Sequence, residues 1–148
     1  MMQVQKERSI LLVEDNADDQ ELALLAFRLN QIPARIIVAR DGSEALEYLG
    51  SMETHQDRPR PSMILLDLKL PRVDGLEVLR RIRSDGRTRG IPVVVLTSSS
   101  EEADFRRSAE LGADEYVRKP MNFGEFRTTT RRLAETWLRP DRQTEDAR

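Results

Sequence analysis

Short runs of consecutive large apolar residues alternate along this chain with stretches where apolar residues recur at helical spacing. Met63-Ile64-Leu65-Leu66, bounded by Pro61-Ser62 and Pro71, predicts a strand buried on both faces, the kind found at the centre of a parallel sheet. Ser9 to Val13 predicts a first strand and Arg35 to Ala39 a second. Ile91 to Thr97 predicts a fourth, with Pro92 tolerated only near its start, and Asp114 to Arg118 a short fifth whose charges suit a sheet edge. Helical period appears from Ala17, where Leu22, Leu25, Ala26 and Leu29 fall on one face before Asn30 to Pro33 end the helix. Asp41-Gly42-Ser43 supplies a turn and cap for a helix over Glu44 to Leu49, closed by Gly50. After the turn residues Asp74-Gly75, Leu76, Leu79 and Ile82 mark a third helix. Ser98-Ser99-Ser100 leads into a fourth at Glu101-Glu102, ending at Gly112. Asn122 caps the last helix, in which Phe123, Phe126, Thr130, Leu133 and Trp137 recur at spacings of 3, 4, 3 and 4. Ser51 to Pro61 has no apolar period and predicts an exposed loop.

Five strands alternating with five helices predict an α/β fold, a doubly wound parallel sheet in the flavodoxin-like order 2-1-3-4-5. The 148 residues fit one domain, over residues 9–138, with a polar N-terminal extension at 1–8 and a polar tail at 139–148. Charge sharpens the picture only by exclusion. A formal net charge of -2, with 34% charged residues, gives no reason to expect nucleic-acid binding. Without cysteine there is no disulfide and no thiolate metal site, and the single histidine, His55, precludes a histidine metal cluster or a catalytic triad. The apolar run Ile10 to Val13 is too short for a signal peptide or a membrane span, so a soluble, cytoplasmic protein is expected.

The chemistry lies at the C-terminal ends of the strands, where open α/β sheets bind ligands. The first strand ends in Glu14 and Asp15, the third in Asp67, the fourth in Thr97 and the fifth at Lys119. The order 2-1-3-4-5 makes those four strands neighbours, so the side chains converge. Three crowded carboxylates demand a cation, and oxygen ligands without sulfur or imidazole suit Mg²⁺. A metal, a lysine and a hydroxyl around a carboxylate amount to a phosphoryl site with the carboxylate as nucleophile.

Val13-Glu14-Asp15-Asn16, Leu66-Asp67-Leu68-Lys69-Leu70-Pro71 with Asp74-Gly75, Val95-Leu96-Thr97-Ser98 and the run Leu111 to Pro120 together resemble the receiver domain of two-component response regulators, a flavodoxin-like (CheY-like) fold. The resemblance runs from about Ser9 through the last helix. It implies that Asp67 accepts a phosphoryl group from a sensor histidine kinase. It further implies that Asp15, Asp67 and the Lys69 backbone carbonyl hold Mg²⁺, with Glu14 joining through water. Thr97 and Lys119 would bind the phosphoryl oxygens, Tyr116 would be the switch aromatic, and the Lys119-Pro120 bond would be cis. With no output domain after the last helix, a single-domain regulator signalling through protein contacts is expected. The Ser51 to Pro61 loop and the end of the last helix also resemble small receivers serving phytochrome-type kinases, which makes a bacteriophytochrome the expected partner. Such a protein is no enzyme beyond its own phosphorylation and dephosphorylation.

On phosphorylation, Thr97 is expected to move inward and Tyr116 to turn from exposed toward buried. A homodimer through the fourth helix, fifth strand and fifth helix is expected, with Phe123, Trp137 and Leu138 as its candidate face, because Trp137 would lie beyond the covering sheet. Two alternatives compete. One is an interaction domain that works without phosphorylation. The other is a phosphatase of the haloacid dehalogenase type, which wants a carboxylate where Lys69 stands and a cap insertion that the chain lacks.

Overall fold

The computed structural model describes residues 8–55 and 57–138. Of the expected N-terminal extension only Arg8 falls among them, as the first residue of a strand, and the expected tail lies outside them. The elements are β1 (Arg8–Val13), α1 (Ala17–Leu29), β2 (Ala34–Ala39), α2 (Gly42–Ser51), β3 (Met63–Leu66), α3 (Gly75–Ser84), β4 (Val93–Thr97), α4 (Glu102–Glu110), β5 (Glu115–Arg118) and α5 (Phe123–Trp137). All four pairings are parallel, in the order β2-β1-β3-β4-β5. The three inner strands are buried almost throughout and the edge strands β2 and β5 only half so, as residue type along each run foretold. Two apolar layers flank the sheet. One joins Leu11, Val13, Ile64 and Leu66 to α2 and α3, and the other joins Ile10, Leu12, Met63, Leu65 and Val94 to α1 and α5. Among the described residues no helix is long and apolar enough to cross a membrane.

Four local expectations need correction. α1 buries Ala23, Ala26 and Phe27, whereas Leu22 and Leu29 are exposed. Residues 22–27 are all apolar, so period alone cannot choose the inward face, and the small alanines let the helix approach the sheet. Gly50 does not close α2, which runs on to Ser51, whose hydroxyl bonds back to the Glu47 and Tyr48 carbonyls. The following loop holds a 3-10 turn over Met52–Thr54 and is tied down by the Tyr48 hydroxyl donating to the Pro59 carbonyl at 2.8 Å. The Lys119-Pro120 bond is trans, the isomer an X–Pro bond favours unless its surroundings impose the other.

The fourth correction concerns the end of α5. Trp137 packs on the apolar layer beneath α1 and α5, its indole N–H donates to Glu115 at 2.9 Å, and Leu138 is buried. α5 runs back along the sheet against the strand direction. Its last turn therefore meets the first residues of the strands, Glu115 of β5 and Arg8 of β1, rather than projecting past them. Phe123 faces α1, in a pocket with Leu22, Ala23 and Phe126.

Candidate phosphoryl-acceptor site

Ladder bonds continue one residue past three strand ends and so aim the side chains that follow. Glu14 N–H donates to Ala39 at 2.9 Å, Asp67 N–H to Val13 at 3.1 Å and Lys119 N–H to Thr97 at 2.8 Å. Asn16 then caps α1, accepting from the Asp19 amide at 2.9 Å, and its own N–H donates to the Glu14 carboxylate. After Asp67 the chain turns sharply under α3. A Cβ on Gly75 would lie 2.3 Å from the Asp67 carbonyl oxygen and 2.5 Å from the Leu68 Cα, so only glycine lets the two come that close.

All five residues expected from the strand ends meet in one cleft. Carboxylate oxygens of Glu14, Asp15 and Asp67 lie within 4.8 Å of one another. Glu14 and Asp67 are buried and Asp15 is exposed. The Lys119 ammonium donates to Glu14 at 2.7 Å, Asp19 at 2.9 Å and Asp67 at 3.1 Å. Thr97, fully buried, donates its hydroxyl to Asp67 Oδ1 at 2.9 Å, and the Lys69 N–H donates to the same oxygen at 3.1 Å. The Thr97 hydroxyl thus reaches the acceptor carboxylate in the unphosphorylated chain. Tyr116 is half-buried, its hydroxyl on the Ser99 carbonyl at 3.1 Å and its ring edge-on to Phe105.

Asp19 was missed. Its signal was the spacing: three residues after the cap it sits on the first turn of α1, above the end of β1. Burial pushes the Glu14 carboxyl up to about 7, against the pull of Lys119. Burial pulls the Lys119 ammonium down, but its bonds to Glu14 and Asp19 and the charge of Asp67 outweigh this and raise it. The ammonium is the group that stays charged, because three carboxylates surround it whereas Glu14 has one cation to share.

The arrangement is an acidic cleft with a nucleophilic carboxylate, a fixed cation and a hydroxyl. Residues 10–131 match the response regulator receiver domain model. The chain belongs to the response regulator receiver family. It is 43% identical over 129 residues to the probable methanogenesis regulatory protein FilR2 of Methanothrix harundinacea, covering 87% of this chain and 83% of that one. It is 38% identical to the response regulator Rcp1 of Synechocystis, over 87% and 88% of the two chains. Among solved structures, the phosphorylated cyanobacterial phytochrome response regulator RcpA superposes with a TM-score of 0.83 at 38% identity, over 90% and 95% of the chains. The bacteriophytochrome response regulator AtBRR gives 0.72 at 46%, over 89% and 94%.

Phosphorylation of an aspartate with Mg²⁺ is what this receiver's family does. Rcp1 is also known in a Mn²⁺-bound form, and the receiver of sensor histidine kinase PA1611 with magnesium coordinated in its active-site cleft. Here the donor set fits: three hard carboxylates converge, and among the described residues no histidine joins them, so the cofactor is Mg²⁺.

Proposed function

We propose that this receiver takes a phosphoryl group onto Asp67 from the phosphohistidine of a sensor histidine kinase, a bacteriophytochrome, and signals in the cytoplasm through protein contacts. The observation that carries this is the set of bonds on the Asp67 carboxylate, with Thr97 and the Lys69 amide on Oδ1 and Lys119 on Oδ2. These bonds orient one carboxylate oxygen to attack phosphorus in line. The new O–P bond forms as the P–N bond to the imidazole breaks, and the imidazole keeps the electron pair. Thr97 and Lys119 then turn to the phosphoryl oxygens, where charge on the equatorial atoms needs offsetting. Glu14, Asp15, Asp67 and the Lys69 carbonyl would hold Mg²⁺, which supplies further positive charge there. The protein catalyses only its own phosphorylation and dephosphorylation. A dehalogenase-type phosphatase would need a carboxylic acid at position 69 to protonate the leaving group, and that position is a lysine paired with Asp104.

The kinase assignment draws on the likeness to RcpA and AtBRR. A homodimer through α4, β5 and α5 belongs to the same reading, with a changed apolar anchor. Trp137 and Leu138 are spoken for within the chain, and Phe105, 51% exposed beside Tyr116, takes their place.

The test is incubation with acetyl phosphate and Mg²⁺, followed by intact mass, alongside phosphotransfer from an autophosphorylated bacteriophytochrome kinase. Wild type gains one phosphoryl group and Asp67→Asn none. Equal incorporation in the variant would sink the assignment.

A further inference from the structure

Lys69 stands at the rim of an open cleft of 470 Å³ lined also by Asp15, Asp74 and Asp104. Its amide is bound to the acceptor carboxylate, while its side chain crosses to the first turns of α4, with Nζ 3.3 Å from Asp104 and 3.8 Å from Glu101. Asp104 is the better-held partner, its side chain 14% exposed, and it also accepts the Ser99 hydroxyl at 2.6 Å. Those two bonds, the hydroxyl ahead of the ammonium, hold its carboxyl below the usual carboxylate range. Ser99 is a junction. Its N–H donates to the Thr97 hydroxyl oxygen, its hydroxyl oxygen accepts the Glu101 amide, and its carbonyl accepts from Tyr116. A continuous chain of polar contacts therefore runs from Asp67 through Thr97, Ser99 and Asp104 back to Lys69, with Tyr116 attached.

We propose that the Lys69–Asp104 ion pair is a latch between the acceptor loop and α4, which phosphorylation of Asp67 opens by drawing the Lys69 ammonium off Asp104 onto the phosphoryl oxygens. This rests on Asp67 being the phosphoacceptor. Before phosphorylation Lys69 faces two carboxylates at the start of α4, Asp104 at 3.3 Å and the more exposed Glu101 at 3.8 Å. Afterwards it also faces a phosphoryl group carrying about two negative charges, two residues along its own loop. The stronger anion takes the cation. Asp104 is left with Ser99 alone, the first turn of α4 loses its tether to the loop, and the Phe105–Tyr116 contact next to it is free to repack. Opening the latch is such a differential contact, and it acts beside the Thr97 hydroxyl, which bonds Asp67 before phosphorylation.

Asp104→Asn tests it, since the amide oxygen still accepts from Ser99 and only the charge is lost. Amide exchange over Glu102–Glu110 should quicken by roughly two- to five-fold in the unphosphorylated variant, toward the rate of phosphorylated wild type. The phosphorylated state should live longer, because Lys69 is released to the phosphoryl group. Lys69→Ala should quicken the same amides but shorten that lifetime, and Lys69→Glu with Asp104→Lys should restore slow exchange. Opposite effects on lifetime from two variants that loosen α4 alike are not expected of a merely structural pair. The latch is overturned if phosphorylated wild type and Asp104→Asn both exchange like unphosphorylated wild type, or if the two lifetimes move together. Failure of wild type to take up any phosphoryl group overturns instead the reading of Asp67. The two failures are distinguishable, because the exchange difference between Asp104→Asn and wild type is measured without phosphorylation.

Discussion

At Lys119 a single ammonium holds Glu14, Asp19 and Asp67, two of them buried. Lys119→Met strips the cation from two buried carboxylates, and breaking a buried pair from one side costs about 3 kcal/mol. Urea unfolding in the presence of a chelator should show that loss, and Mg²⁺ should restore part of it. Asp15→Ala should do the reverse. Asp15 is exposed and outside the reach of the ammonium, so its removal relieves repulsion and leaves apo stability equal or higher, while Mg²⁺ binding and phosphorylation weaken. A stability drop as large as that of Lys119→Met would make Asp15 a structural residue.

Between elements, close approach and polar ties place the site. In Gly75→Ala the new methyl would collide with backbone at the end of β3, so α3 must back away and take the turn after Asp67 with it. Overpacking of this kind costs about 1–3 kcal/mol, and phosphorylation from acetyl phosphate should slow by more than the stability loss explains, since folded protein still predominates. The other tie joins β5 to α5, where Glu115 accepts from Arg132 and from the Trp137 indole. Burial alone would raise the Glu115 carboxyl, but these two partners outweigh it and hold the carboxyl below its ordinary 4.5. A carboxylate whose folded value is depressed adds stability above its unfolded value, and that contribution disappears as pH falls through the folded value. Stability should therefore fall on acidification below 4.5, with a matching change in the fluorescence of the only tryptophan. Glu115→Gln should flatten both; an unchanged acid limb in that variant would remove Glu115 from the explanation.

For the whole molecule, the question is which face meets a second copy. Trp137 is satisfied by Glu115 and Leu138 is buried, so Trp137→Ala should act on stability before it acts on association. Phe105 is the large apolar residue exposed on α4 against β5. Sedimentation of wild type at micromolar concentration should show a dimer that Phe105→Ala weakens about tenfold or more, in line with loss of an aromatic anchor. A wild type that sediments as a monomer with and without phosphoryl on Asp67 would end the proposal.

What the sequence determined by itself is the sheet and its chemistry. Continuous apolar runs mark the inner strands, because burial on both faces leaves no polar alternation, and the residues ending those runs had to share one edge. Glu14, Asp15, Asp67 and Thr97 were legible for that reason, and Lys119 because the short charged run before it reads as the neighbouring edge strand. The tertiary structure decided whatever depends on which side of a helix faces what. The apolar residues of α1 span too much of its circumference to specify its inward face. The position of Trp137 depends on α5 returning to the start of β5, a contact 22 residues back along the chain. Asp19 joins Lys119 across 100 residues, and Lys69 reaches Asp104 only because the β3 and β4 loops emerge side by side. Periodicity records a residue's local surroundings. Pairings between charged side chains on different loops follow from strand order and register, and they become visible only when the sheet is assembled.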